Sequence, residues 1–143
     1  MRRLGLVASA LTVGIGIVYW GTLSRQAGPD GLLAELHPNT VMVSVAIAVL
    51  AALTAYGALA ANPQRRALAL WVAIPGFAVL GYLAMFSIGL LFWVAGLVTL
   101  LGAVPALRGG DVRSGPVLAW AAALSVAWVG AGALLIWLSG ETF

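Results

Sequence analysis

Between Arg66 and Arg108 the chain carries 41 consecutive residues, Ala67 to Leu107, without one charged side chain. As a single α-helix this run would be about 61 Å long, roughly twice the ~30 Å of a bilayer's hydrocarbon core. Two membrane-spanning helices joined by a tight turn satisfy both the length and the lack of charge. Ser87 and Gly89 are the permissive residues near the middle, which puts the turn at Met85 to Gly89.

A soluble fold is excluded by composition. Seven basic and four acidic residues cannot cover the surface of a 143-residue domain that is 63% hydrophobic, so lipid must cover the rest. The net charge of +3 does not point to nucleic acid, because all seven basic residues are arginines scattered in short segments between apolar stretches. No cysteine is present, which removes disulfides, thiolate metal sites and cysteine nucleophiles.

The remaining spans follow from the same rule. Leu4 to Leu23 is uncharged and about 20 residues long, the length of a membrane crossing. Arg2, Arg3 and Ala8-Ser9-Ala10 resemble parts of a cleavable signal peptide, but the apolar run continues beyond the usual core of about 7 to 15 residues and fits an uncleaved anchor better. Ser24 to Pro38 reads as a polar loop, after which Asn39 or Thr40 caps a helix that ends at Asn62-Pro63. Asn62 to Arg66 then reads as a basic turn. Arg108 to Gly115 is a second charged loop, and Pro116 after Ser114 opens a last helix. The expected fold is an all-α membrane protein: one polytopic domain over residues 1–143, a bundle of about five transmembrane helices at approximately 4–23, 39–61, 67–85, 88–107 and 116–138.

Arginine placement sets the orientation, since cytoplasmic loops carry the excess of basic residues. With five spans and a cytoplasmic N-terminus, Arg2, Arg3, Arg65, Arg66, Arg108 and Arg113 face the cytoplasm, only Arg25 faces out, and the C-terminus lies outside. A single crossing over 67–107 would destroy that bias. Tyr19, Trp20, Tyr56, Trp71, Tyr82, Trp120 and Trp137 fall near the expected span ends, where amphipathic rings favour the headgroup region. Trp93 and Trp128 fall deeper and are expected to pack, each indole N–H reaching a neighbouring helix.

No expected span contains a charge, which argues against a proton-coupled pump or an exporter built around a membrane carboxylate. No phosphate loop, nucleophile elbow or zinc-protease helix occurs, so an enzyme is not expected, and neither is a cofactor. Pro75-Gly76 removes a backbone hydrogen bond and should kink or open its helix, with Gly81 farther along; such breaks can line a ligand site. Pro75, Gly76 and Gly81 are therefore the candidate ligand-binding residues. Ser44, Ala48 and Ala52, and Ala119, Ala123, Ala127 and Ala131, form small-residue ridges that permit close helix approach within the bundle or to another subunit.

These features favour a structural or accessory subunit of a membrane assembly in the cytoplasmic membrane, with the bilayer, other membrane subunits or a second copy as partners. The alternative is a carrier or receptor for a small neutral or lipidic ligand. His37 is the only histidine, and with Asp30 and Glu35 it could be imagined as an outer metal or acid–base site. A tetrahedral site needs three or four ligands, and the simpler reading is that His37-Pro38 closes a loop. Accordingly His37→Ala should leave the metal content of the purified protein unchanged, as read by elemental analysis; stoichiometric metal that disappears in the variant would refute this.

Overall fold

The computed structural model describes residues 2–26, 38–84, 89–108 and 114–139. All the secondary structure in them is α-helix: α1 (Arg2–Gln26), α2 (Pro38–Leu59), α3 (Pro63–Leu83), α4 (Gly89–Arg108) and α5 (Ser114–Ser139). By length and composition α1, the Thr40–Leu59 part of α2, and α3 are each apolar enough to cross a membrane, and the Gly89–Pro105 and Ala119–Trp128 stretches are shorter apolar helices. The uncharged 67–107 run is thus divided between α3 and α4.

The break is closed tightly. Ala84 N–H donates to Leu80 O (2.9 Å), and Gly89 N–H donates back to Ala84 O (2.7 Å). A side chain at position 89 would collide with the carbonyls of Gly81 and Ala84, so only glycine allows α4 to start this close to the end of α3.

The α2–α3 connection is shorter than the expected basic turn. Asn62 does not merely end α2: its backbone is extended (φ −77°, ψ 121°) and its side-chain Oδ1 accepts from Gln64 N–H and Arg65 N–H, at 2.9 and 3.4 Å. Residue 62 is held extended both as an N-cap and as the residue before a proline, and Pro63 at the first helical position loses no hydrogen bond. Arg65 and Arg66 consequently ride on the first turn of α3. The Arg66 guanidinium donates to Ala60 O through Nε (3.3 Å) and Nη2 (2.7 Å), satisfying a carbonyl left open at the end of α2.

Helices α1 to α4 close a ring in which each packs on its neighbours in sequence and α1 meets α4, while α5 packs against α3 from outside. Half of the most apolar window of α3 is buried, against 22% for α1 and 28% for α2, because α3 alone has principal neighbours on three sides. At one end of the ring the packing is made by small residues. A Cβ on Gly5 of α1 would stand 2.9 Å from Ala58 Cβ and 3.2 Å from Ala58 Cα of α2. A Cβ on Gly57 would meet Leu70 of α3 at 2.7 Å, and one on Gly102 of α4 would meet Leu4 at 3.3 Å. The N-terminal ends of α1 and α3 and the C-terminal ends of α2 and α4 therefore meet here.

Toward the other end the ring is filled by bulk. Ile15, Ile47, Leu50, Phe77, Leu80 and Phe92 form the main buried cluster, with Ala73 and Ala95 between them. Ser9 Oγ donates to Ala51 O (3.2 Å), and Tyr19 shares a side-chain hydrogen bond with Thr40, so α1 and α2 are also tied by polar contacts.

Gly5→Ala should destabilise the protein by about 1–3 kcal/mol, because Ala58 backbone cannot move aside as a flexible side chain can. Gly14, with nothing within 4 Å of an added Cβ, should instead tolerate alanine or gain about 0.5–1 kcal/mol from helix propensity. Reversible unfolding in detergent measures both.

Candidate functional site

Pro75 lies inside α3, which is helical without interruption from Pro63 to Leu83. The helix continues through Pro75-Gly76, where the proline removes one backbone hydrogen bond, and α3 there has α2, α4 and α5 as neighbours. Gly76 and Gly81 are both buried. An added Cβ on Gly76 would stand 2.6 Å from Leu50 Cδ2, and one on Gly81 would stand 2.8 Å from Trp93 Nε1. Each glycine receives a side chain from an adjacent helix, Leu50 from α2 and Trp93 from α4.

The seat at Gly81 adjoins a cleft. Ile74, Phe77 and Ala78 of α3 and Phe92, Trp93 and Leu97 of α4 line an apolar cleft of about 190 Å³. Trp93 is one of its walls and is itself seated on Gly81, so Gly81 borders the cleft through the side chain it admits, whereas Pro75, Gly76 and the Leu50 seated on Gly76 do not line it. Trp93 packs against Gly81 of the neighbouring helix yet is 50% exposed, because it lies across the outer edge of the α3–α4 contact. A second apolar groove, about 440 Å³, runs along α1 beside Gly14 and Val18 and reaches Leu91 of α4.

Three polar residues that sequence reasoning passed over lie in the core. Thr12, Thr54 and Thr99, on α1, α2 and α4, are completely buried. Each hydroxyl donates to the carbonyl four residues earlier: Ala8 at 2.7 Å, Leu50 at 2.8 Å and Ala95 at 2.8 Å. The helix registers put them within about one and a half turns of each other along the bundle. Threonine's ability to bond its own helix lets it sit in an apolar interior without a partner helix, and its spacing along each span was the available signal. By contrast, the Trp71 indole N–H is buried without an acceptor among the described residues, at a cost of about 1–3 kcal/mol.

The small-residue ridges are placed on the outside. Ala119, Ala123 and Ala127 of α5 are exposed, as are Ala48 and Ala52 of α2, while α5 meets its neighbour with Ala121 buried and Ser125 half-buried. Asp30, Glu35 and His37 lie outside the described residues, as do Asp111 and Glu141.

Together these features define an all-helical protein with apolar helices fit for a bilayer, two apolar clefts and exposed small-residue ridges. Comparison with protein-family models, with curated proteins and with solved structures finds no match.

Pro75→Ala restores an N–H opposite the Trp71 carbonyl in a helix that already accommodates the proline. It should leave helix content unchanged in circular dichroism and raise stability by up to about 3 kcal/mol. A loss of stability would instead mean that the proline ring makes contacts worth more than the missing bond.

Proposed function

We propose that this chain is a multi-pass protein of the cytoplasmic membrane that crosses the bilayer five times, N-terminus in the cytoplasm and C-terminus outside, and serves as a structural or accessory subunit of a membrane assembly. The convergence of the α1 and α3 N-terminal ends with the α2 and α4 C-terminal ends supports the topology, because it gathers the helix ends that carry Arg2, Arg3, Arg65, Arg66 and Arg108. Arg25 closes α1 at the opposite end. That distribution is what the excess of cytoplasmic arginine requires.

The observation that carries the accessory role is the exposed Ala119–Ala123–Ala127 ridge of α5. Lipid gives helices no hydrophobic reason to associate, so association depends on backbones approaching closely, and a ridge of small residues permits it. Helix α5 has α3 as its one principal neighbour, which leaves this ridge open to a second copy or another subunit. The bilayer itself is the other partner.

A second reading rests on the α3–α4 cleft. A carrier or receptor for a small neutral or lipidic ligand would hold it among Ile74, Phe77 and Trp93, with Gly81 seating Trp93 and with Pro75 and Gly76 on the same helix but outside the lining.

Purification in mild detergent should yield an assembly larger than one chain, and Ala123→Phe should reduce it to the monomer without lowering thermal stability. A wild-type protein that elutes alone as a monomer would refute the accessory reading. For the topology, reporter fusions after Gly110 and after Phe143 should report opposite sides of the membrane; the same side for both would refute five spans.

A further inference from the structure

The two adjacent arginines at the start of α3 have different surroundings. Arg66 is committed to Ala60 O, whereas the Arg65 guanidinium is exposed and has no partner among the described residues. Arg65 stands with Gln64 at the mouth of a cleft of about 180 Å³ between α3 and α5, whose other walls are Leu68, Pro116 and Trp120. Trp120 is 63% exposed. The first-turn amides of Gln64 and Arg65 are already taken by Asn62, so a ligand here would be held by side chains and not by the open end of a helix.

The cleft is amphipathic in one direction. A cation and an amide stand at the helix end, an indole beside them, and an apolar wall runs inward along Leu68. A soluble anion would use the cation and leave the wall bare. A phospholipid uses both, its phosphate on Arg65 and its glycerol and upper chain against Leu68 and Trp120. Charge selects among phospholipids: this end carries Arg2, Arg3, Arg65, Arg66, Arg108 and Arg113 in the proposed topology, and Asp111 is the one acidic residue of its loops. We propose that the α3–α5 cleft at Arg65 is a binding site for the headgroup of an anionic phospholipid. The proposed orientation enters only in naming the cytoplasmic leaflet as the source of that lipid, and the binding measurement is independent of it.

The test is native mass spectrometry of the full chain in mild detergent, with phosphatidylglycerol or phosphatidylcholine of the same acyl chains added. Phosphatidylglycerol should be retained in preference. Arg65→Gln should lower its retention about five-fold, the size expected for one arginine near an anionic surface. Arg65→Lys should keep most of it, and Arg25→Gln, at the other end of the bundle, should leave it unchanged. Because the Arg65 side chain is exposed and its guanidinium bonds none of the described residues, neither Arg65 variant should alter the unfolding temperature. Equal losses in Arg65→Gln and Arg25→Gln would overturn the proposal in favour of diffuse charge attraction. Equal retention of the two lipids would also overturn it, and displacement by millimolar inorganic phosphate would identify a free anion as the occupant. All three outcomes are distinct from a failure of the topology, which only the reporter fusions detect.

Discussion

The packing depends on the backbone contact between α1 and α2 at Gly5 and Ala58. In water two apolar helices are driven together by the solvent; in lipid the tails are as apolar as the helices, and dispersion at close range must do it. Gly57 against Leu70 and Gly102 against Leu4 extend the same close fit to α3 and α4. Because these contacts gather at one end, the bulk of Phe77, Phe92, Leu50 and Ile15 is accommodated toward the other. A ring narrow at one end and filled by large side chains at the other has one register between its helices.

Polar groups inside such a ring must find partners within the protein. Thr12, Thr54 and Thr99 use the carbonyls of their own helices, so they place no demand on helix–helix geometry. Asn62 and Arg66 act at the α2–α3 connection, one satisfying amides that begin α3 and the other a carbonyl just after the end of α2. Only Ala60, Ala61 and Asn62 lie between the two helices, and the pairing of Gly57 with Leu70 and of Leu50 with Gly76 shows that the helices they join run antiparallel. Trp71 is the exception: its indole N–H is buried without an acceptor among the described residues, and its own carbonyl is the one that Pro75 leaves without a backbone donor.

The surfaces left over are the ones available for function. Helix α3 spends its sides on α2, α4 and α5, whereas α5 keeps Ala119, Ala123 and Ala127 exposed among its described residues. The outer seam between α3 and α4 leaves an apolar cleft because Trp93 lies across it, seated on Gly81. Of the two arginines that start α3, Arg66 is part of the architecture and Arg65 is free to meet the membrane surface.

Much of the fold was legible because lipid imposes simple rules of length and charge. The 67–107 run was too long for one crossing, which called for its division into α3 and α4, and the permissive Ser87 and Gly89 placed the break. Pro116 after Ser114 marked the start of α5 for an equally local reason, the tolerance of a first helical turn for proline. The start of α3 was misjudged by four residues, Ala67 for Pro63, because a cap and a loop use the same residue types, and only the bonds from Gln64 and Arg65 identify Asn62 as the cap. Gly76 and Gly81 were recognisable as special residues, yet nothing local to them says that Leu50 and Trp93 occupy the space beside them. The alanine ridges were visible as a four-residue repeat, but not whether they face inward. Local pattern determines which segments are helices and how long they are, since the hydrogen bonds that make a helix lie within it. Which face is buried, which arginine is committed and which cleft stays open are decided by distant segments, and the physical reason is that these depend on side chains arriving from other helices.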